Sequence, residues 1–299
     1  MNQQQSICSQ AREKTRAKRA ATQVFSFLTL RAAAFVNCAA LVIACVFLFV
    51  NGIGALNIDF VLDSPREMMT SGGVFPCLVG TFLLAAGAIA IALPFGVACA
   101  VWLNEYGKQG PVVDIVRLSV ANLAGVPSIV FGLFGLAFFV TALGFNVSLL
   151  SGILTLAVLT LPVIINTTEE ALKQVPRSWR DASLALGATK SQTIGRIVLP
   201  SALPGILTGA ILAVARAAGE TSAVMFTAAV FYTPKLPESV WSSVMALPYH
   251  MYGLATAGTE IEKTRPMQYG TGLLLVVLVF AMNLIAILIR DKMQKKRLA

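Results

Sequence analysis

Two charged side chains of opposite sign lie four residues apart in a long apolar stretch of the sequence. Arg216 and Glu220 are the charged residues of the run from Gly205 to Val230. The arginine fork of N–H donors suits the oxygens of phosphate and similar oxyanions. A carboxylate accepts a hydrogen bond from a protonated oxyanion and repels a fully deprotonated one. Ionisable residues in an apolar segment that is long enough to cross a membrane usually face a cavity and mark a substrate route.

The residues that follow extend this candidate site. Thr221 and Ser222 add neutral hydroxyl donors directly after Glu220. On one continuous helix, Arg216 and Glu220 share a face, so they either neutralise each other as an internal ion pair or form part of an anion pathway. The two interpretations are compatible if the pair is closed at rest and opens for the substrate. The predicted pathway residues are Arg216, Glu220, Thr221 and Ser222.

The composition predicts the structure that carries this site. Hydrophobic residues make up 57% of the 299 residues, charged residues only 12%, and the mean hydropathy is +0.77, whereas soluble domains have about 25% charged residues. An all-α membrane protein with several spans is expected. The net charge of +9 does not indicate nucleic acid, because the basic residues flank apolar runs rather than forming a stripe interleaved with aromatic residues.

Six apolar segments predict six transmembrane helices. A basic arm, residues 1–31, precedes a six-helix domain, residues 32–289, and a basic tail, residues 290–299, follows it. The arm is expected to be disordered or to lie on anionic lipid. The predicted spans are about 32–50, 74–103, 126–143, 149–167, 205–230 and 268–289.

The distribution of lysine and arginine predicts the orientation. With six spans both termini share one side, and that side carries 18 of these residues against 4 on the other. Basic residues concentrate on the cytoplasmic side of membrane proteins. Both termini are therefore expected in the cytoplasm of a bacterium, with the chain in the inner membrane.

Several kinds of site are not indicated by the sequence. There is no Gly-x-x-x-x-Gly-Lys-Ser/Thr phosphate loop, no Gly-x-Gly-x-x-Gly motif after a strand and no serine elbow. The five cysteines have no metal-binding spacing, and His250 is the single histidine. We expect no catalytic residue, metal site or cofactor, so any ATP would be bound by a partner subunit.

The loop between the fourth and fifth spans, 169–200, predicts two short helices. Pro176 is suited to a helix start, and Gly187 to a left-handed C-terminal cap. Thr189 followed by Gln192 predicts a capping box for the second helix, which Pro200 is expected to end. The first helix would present an apolar stripe of Trp179, Ala182 and Leu186. Such a basic, amphipathic pair either rests on lipid or docks into a groove of a soluble partner.

The same loop resembles the EAA signature of permease subunits in bacterial ABC importers. That signature is Glu-Ala-Ala, three residues, Gly, nine residues, Ile, one residue and Leu-Pro. The spacing agrees throughout, with Asp in place of Glu and Ser in place of the second Ala. The resemblance implies docking on an ATPase subunit through Asp181, Ala182, Ser183 and Gly187, within a motif completed by Ile197, Leu199 and Pro200.

From about residue 74 onward the chain resembles phosphate-importer permeases of the PstA type. "GVPSIVFGLFGLAFFV", "VLPSALPGILTGAILAVARAAGET" and "ALPYHMY" carry this resemblance. It implies a type I importer permease that works by alternating access and pairs with a related PstC-type permease. It also implies two PstB-type ATPase subunits and an extracytoplasmic PstS-type phosphate-binding protein.

Three alternatives remain open from the sequence. The chain could be an ABC permease for another oxyanion or small solute, an ion-coupled secondary transporter or channel working alone, or a membrane sensor that transports nothing. The aromatic segment at about 231–267 is explained either as interfacial anchoring or as a contact surface for a binding protein.

Overall fold

The computed structural model describes residues 2–69, 71–107, 110–256 and 261–298, and these are mostly helical. The chain forms two compact units, residues 1–51 and residues 52–299. In the described residues, five helices are long and apolar enough to cross a membrane, and a sixth span results if one bent helix pair is counted. The expected all-α fold with several spans is confirmed.

The first unit consists of helix α1, Asn2–Gly52, without its last residue. The predicted first span, about 32–50, lies within this helix. The sequence predicts that the arm is disordered or lies on anionic lipid; its residues 2–31 belong to this helix, and contact with lipid stays a prediction. Its Gln, Ala, Glu, Lys and Arg residues are good helix formers, which explains why a polar segment continues the helix.

The second unit holds the remaining elements. Short 3-10 turns lie at Ile53–Ala55 and Glu67–Met69, and π-helical turns at Trp102–Tyr106, Leu136–Ala142 and Ile194–Val198. The other elements are α2 Ile58–Leu62, β1 Pro65–Arg66, β2 Ser71–Gly72, α3 Phe75–Val101, α4 Pro111–Ala124, α5 Ser128–Gly135, α6 Leu149–Gln174, α7 Arg177–Ala185, α8 Lys190–Thr193, α9 Leu199–Ala218, α10 Ser222–Thr227, α11 Leu247–Thr256 and α12 Ile261–Leu298. We call the end of this unit that carries α7 and α8 the loop end.

The second, fourth and sixth predicted spans correspond to α3, α6 and α12. The third differs, because α4 and α5 are joined at an angle of 104°. Only together are they long and apolar enough to cross a membrane. Pro127 causes the break, since it lacks an N–H and disfavours helical backbone in the residue before it. The segment predicted as the third span, 126–143, is the second half of this bent pair.

Helices α6 and α9 form the centre of the unit and run antiparallel. Gly205 of α9 faces Ala171 of α6, where a Cβ on the glycine would lie 2.5 Å from the alanine Cβ. Four residues further along α9, Gly209 faces the hydroxyl of Thr167. Small residues at these positions allow the two backbones to approach closely, as is usual between membrane helices.

The end of the unit opposite the loop is fastened by main-chain hydrogen bonds. The N–H groups of Ser148 and Leu149 donate to the carbonyls of Thr227 and Ser242. The first N–H groups of a helix have no partner within the helix, so these bonds satisfy donors that the start of α6 would otherwise leave open. They tie the chain after α10 to the beginning of α6.

The close contact of α6 and α9 predicts a cost for any side chain at Gly209. Gly209→Ala places a methyl group against Thr167, and overpacking of this kind costs about 1–3 kcal/mol. A lower melting temperature of the purified membrane complex is expected. Gly195→Ala is the control, because a Cβ there meets nothing within 4 Å. If the Gly209→Ala complex melts no lower than the Gly195→Ala complex, close packing of α6 against α9 does not stabilise the complex.

Candidate functional site

Measured along the axes of α6 and α9, Arg216 lies about midway between the loop end of the second unit and the opposite end. Gly209 faces Thr167, and Arg216 is seven residues, or about 10 Å, further along α9. Because α6 runs the opposite way, Arg216 is level with the region around Thr160, near the middle of α6. Its side chain is exposed in the isolated chain. A charged group is therefore presented at mid-depth rather than at an end.

The chain breaks directly after this arginine. Helix α9 ends at Ala218, with Gly219 as the C-cap residue, and α10 begins at Ser222. The prediction of one continuous helix over 205–230 is wrong, because residues 219–221 lie outside both helices. Glu220 is thus outside α9 and does not share a helical face with Arg216.

Glu220 has a different partner from the one expected. Its Oε1 accepts a hydrogen bond of 3.4 Å from the main-chain N–H of Ala223, in the first turn of α10. A carboxylate at this place satisfies a free N–H and suits the helix dipole. No ion pair joins Arg216 and Glu220, both of which lie in the described part of the chain. The expected closed pair is absent from this conformation.

The hydroxyl residues of the predicted pathway belong to the same turn. Thr221 is the N-cap residue of α10, Ser222 is its first residue, and both are half-buried. Helix α5 supports the turn from behind, since a Cβ at Gly132 would lie 2.9 Å from the carbonyl oxygen of Ser222. The structure therefore brings Glu220, Thr221 and Ser222 together one turn beyond Arg216.

The two-helix loop is present with the predicted caps. Helix α7 follows Pro176, and Gly187 has a φ of +82°, the left-handed conformation expected of the cap. Thr189 and Gln192 form the capping box at the start of α8. Pro200 does not end the second helix, because the π-helical turn leads straight into α9 and places this proline in its first turn, where no N–H is needed.

The signature residues of the loop divide between its surface and its interior. Asp181, Ala182 and Gly187 are exposed, whereas Ser183 is buried and shares a 2.9 Å hydrogen bond with the hydroxyl of Thr193. Ser183 thus joins α7 to α8 instead of facing outward. Ile197 in the π-helical turn and Leu199 and Pro200 at the start of α9 are half-buried. The apolar stripe is uncovered, with Trp179 51% and Leu186 89% exposed.

Arg180 joins the two-helix loop to the ends of α3 and α6 that lie next to it. It pairs with Glu105 in the π-helical turn that directly follows α3, where Nη2 lies 2.8 Å from Oε1. The same guanidinium donates to the carbonyls of Leu172 and Val175 at the end of α6, at 2.9 and 2.7 Å. These carbonyls are among those that a helix end leaves free. Sequence reasoning missed this role, because Arg180 and Glu105 are 75 residues apart.

A second contact joins α3 to α8. The Nζ of Lys190 lies 5.0 Å from the ring centre of Tyr106, a cation–π distance. The π-helical end of α3 therefore contacts both short helices, through Glu105 on one side and Tyr106 on the other.

A charged cluster also lies near the loop end, between α4 and α6. The buried Glu169 pairs with Arg117 at 2.8 Å and with Lys173 at 2.9 Å, both through Oε1. A cavity of about 230 Å³ adjoins this cluster and is also lined by Asn166. The spacing of Glu169 and Lys173, four residues apart, could have indicated their pair, but no local pattern indicates Arg117.

His250 lies buried in α11 at 2% exposure, outside the candidate spans. Burial disfavours the charged imidazolium and lowers its pKa to about 4. The side chain is therefore neutral across the physiological pH range, which argues against a pH switch at this position.

Comparison with protein families gives one match over most of the chain. The model of the binding-protein-dependent transport system inner membrane component matches residues 92–298, more than two thirds of the sequence. The match contains α6, the two-helix loop, α9 and the turn after Arg216.

Individual relatives extend this match. The probable ABC transporter permease protein YqgI of Bacillus subtilis is 33% identical over 266 residues, 83% of this chain and 90% of that protein. The phosphate transport system permease protein PstA 1 of Mycobacterium tuberculosis is 39% identical over 228 residues, 76% of this chain and 73% of that protein. PstA of Xylella fastidiosa is 31% identical, over 86% of this chain and 94% of that protein.

Solved structures show the same fold. A chain of the MetNI methionine ABC transporter, in an inward-facing conformation, superposes with a TM-score of 0.55 at 23% identity, covering 74% of this chain and 94% of that one. A chain of a bacterial ABC transporter involved in alginate import gives a TM-score of 0.57 at 13% identity, covering 76% and 80%. Sequence and fold agree: the chain belongs to the family of inner membrane components of binding-protein-dependent transport systems, the permease subunits of ABC transporters.

Proposed function

We propose that this chain is the PstA-type permease subunit of an ATP-driven importer of inorganic phosphate. The observation that carries the proposal is the exposed Arg216 at mid-depth, beside a helix break that gathers Glu220, Thr221 and Ser222. The PstA relatives, described as phosphate transport system permeases, support phosphate as the substrate. Family membership argues against an ion-coupled transporter working alone and against a sensor.

The chemistry of the turn suits a small oxyanion that must be bound and then released. The Arg216 fork donates to phosphate oxygens, and the two hydroxyls add neutral donors. A purely cationic site would trap the anion, whereas conduction requires release as well as entry. The Glu220 carboxylate weakens the site by repulsion and favours a protonated phosphate, to which it can offer an acceptor.

The proposed assembly follows from family membership and from the exposed loop. The coarser statement, that ATPase and substrate-binding partners serve this permease, follows from the family. More specifically, the chain would pair with a PstC-type permease, receive phosphate from a PstS-type protein and dock two PstB-type ATPases. The loop end and both termini would face the cytoplasm. The exposed stripe with Trp179 and Leu186 fits a helix-in-groove contact.

The contacts of the loop explain how ATP could act on the pathway. α9 begins where the loop ends and carries Arg216 near its other end. Arg180 ties the same loop to α3 and α6. Movement of docked α7 would therefore be passed to three helices at once, and a shift of α9 against α6 would move Arg216 between the two sides.

Reconstitution of the complex in vesicles tests the function. ATP-dependent uptake of radiolabelled phosphate is expected, with loss of uptake when the ATPase subunit is omitted. Excess sulfate or molybdate should compete poorly. If either competes as well as unlabelled phosphate, the substrate is a different oxyanion or a broader class.

Neutralising Arg216 tests the pathway. Arg216→Gln removes the anion-binding fork, and Glu220→Gln removes the repulsion that aids release, so both variants are expected to lower uptake at least tenfold. Lys292→Gln, at an exposed cation of α12, is the control and should transport normally. Assembly of each complex is checked by size-exclusion chromatography. Normal uptake by an assembled Arg216→Gln complex would contradict the assignment.

The Arg180 contacts predict a coupling defect. Arg180→Gln or Glu105→Gln leaves the partner charge without its ion pair. Movement of the loop should then no longer be transmitted to α3 and α6. ATP hydrolysis is expected to persist while the number of phosphate ions imported per ATP falls severalfold. The exposed neighbour variant Arg177→Gln should retain the wild-type ratio. Equal ratios in Arg180→Gln and Arg177→Gln would rule out this transmission.

A further inference from the structure

The cavity between α4 and α6 differs from an ordinary packing defect. Its polar lining comprises Arg117, Asn166, Glu169 and Lys173, and its volume is about 230 Å³. A water molecule occupies about 30 Å³ in the liquid, so this space has room for a tetrahedral oxyanion. The remaining lining residues are apolar. The lining therefore combines apolar side chains with charged and amide groups, as the site of a polar guest requires.

The charges of this cluster do not balance. Both cations pair with the same oxygen of Glu169, which leaves one positive charge in excess. The Glu169 side chain is only 9% exposed, whereas those of Arg117 and Lys173 are 42% and 56% exposed. An arginine fork has five N–H donors and an ammonium group has three. Each cation thus keeps donors that a guest in the cavity could use.

This cluster and Arg216 lie on the same side of the α6–α9 pair. On α6, the exposed Asn166 directly precedes Thr167, which contacts α9, and on α9 the exposed Thr208 directly precedes the contact residue Gly209. In an antiparallel pair of helices, two residues that each precede their contact residue by one position point to the same side of the pair. Asn166 and Lys173, seven residues apart, lie on one face of α6. The exposed residues Thr208, Leu212 and Arg216 follow one another at four-residue intervals on α9.

The two sites differ in depth. Arg216 is level with residue 160 of α6, so Asn166 is about 9 Å and Lys173 about 20 Å closer to the loop end. An anion leaving Arg216 toward the loop end would therefore meet the Asn166 amide first and the two cations afterwards. The positions follow one another along one exposed face of the α6–α9 pair, where Arg290 of α12 also donates a hydrogen bond to Thr208.

We propose that the cavity lined by Arg117, Asn166 and Lys173 is a second anion site, which receives phosphate from Arg216 before its release at the loop end. Glu169 is its internal counter-anion: it competes with phosphate for both cations and keeps the affinity low enough for release. The proposal rests on the proposed function for its ligand, since the geometry alone specifies a small oxyanion.

Titration of the purified permease complex with inorganic phosphate, followed by broadening of the 31P resonance without ATP, tests the site. The measurements use an Arg216→Gln background, which removes the mid-depth site. Lys173→Gln or Arg117→Gln is expected to raise the apparent Kd about tenfold. Glu169→Gln is expected to lower it severalfold, because both cations are then freed. Charge-keeping Lys173→Arg is expected to raise the apparent Kd less than Lys173→Gln does.

The opposite signs of these shifts separate binding from a merely structural role. Loss of a structural ion pair would weaken binding in Glu169→Gln as well, and that outcome would overturn the proposal. Lys292→Gln, an exposed cation outside the cavity, should change nothing, and an equal shift there would also overturn it. Wild-type uptake of phosphate together with unchanged Kd values in all cavity variants overturns the second site alone. Absence of both uptake and binding in wild type overturns the proposed function too.

Discussion

The close antiparallel contact between α6 and α9 determines where the functional groups lie. Gly205 and Gly209 allow the helix backbones to meet at Ala171 and Thr167, and this fixes the register between them. Small residues let membrane helices associate by packing where no hydrophobic force drives them together. The register sets Arg216 at mid-depth and the Glu169 cluster nearer the loop. Larger side chains at the two glycines would separate the helices and shift both sites together.

The same pair of helices connects the proposed pathway to the loop. α6 ends at Gln174 with free carbonyls that Arg180 satisfies, and α9 starts directly after the π-helical turn at 194–198. The loop is thus bonded to the end of one central helix and continuous with the other. A rigid-body movement of the loop must change how α6 and α9 slide or tilt.

The features that sequence reasoning predicted correctly depend on neighbouring residues. The capping box of Thr189 and Gln192 and the left-handed Gly187 follow from chemistry within a few residues. The break at Gly219 does not follow from such local chemistry, because glycine is tolerated inside many membrane helices and this glycine has ordinary right-handed angles. The pairs of Arg180 with Glu105 and of Arg117 with Glu169 join distant segments. Ser183 turned inward because Thr193 offers it a partner.

In the proposed mechanism, phosphate contacts Arg216 at mid-depth during transport. A cryo-electron microscopy structure of the assembled complex, stalled with ATP and saturated with phosphate, would reveal this contact. Tetrahedral density is expected within hydrogen-bond distance of the Arg216 guanidinium, with Glu220 still turned toward α10. Density elsewhere in the pathway, with Arg216 paired to Glu220 instead, would contradict it.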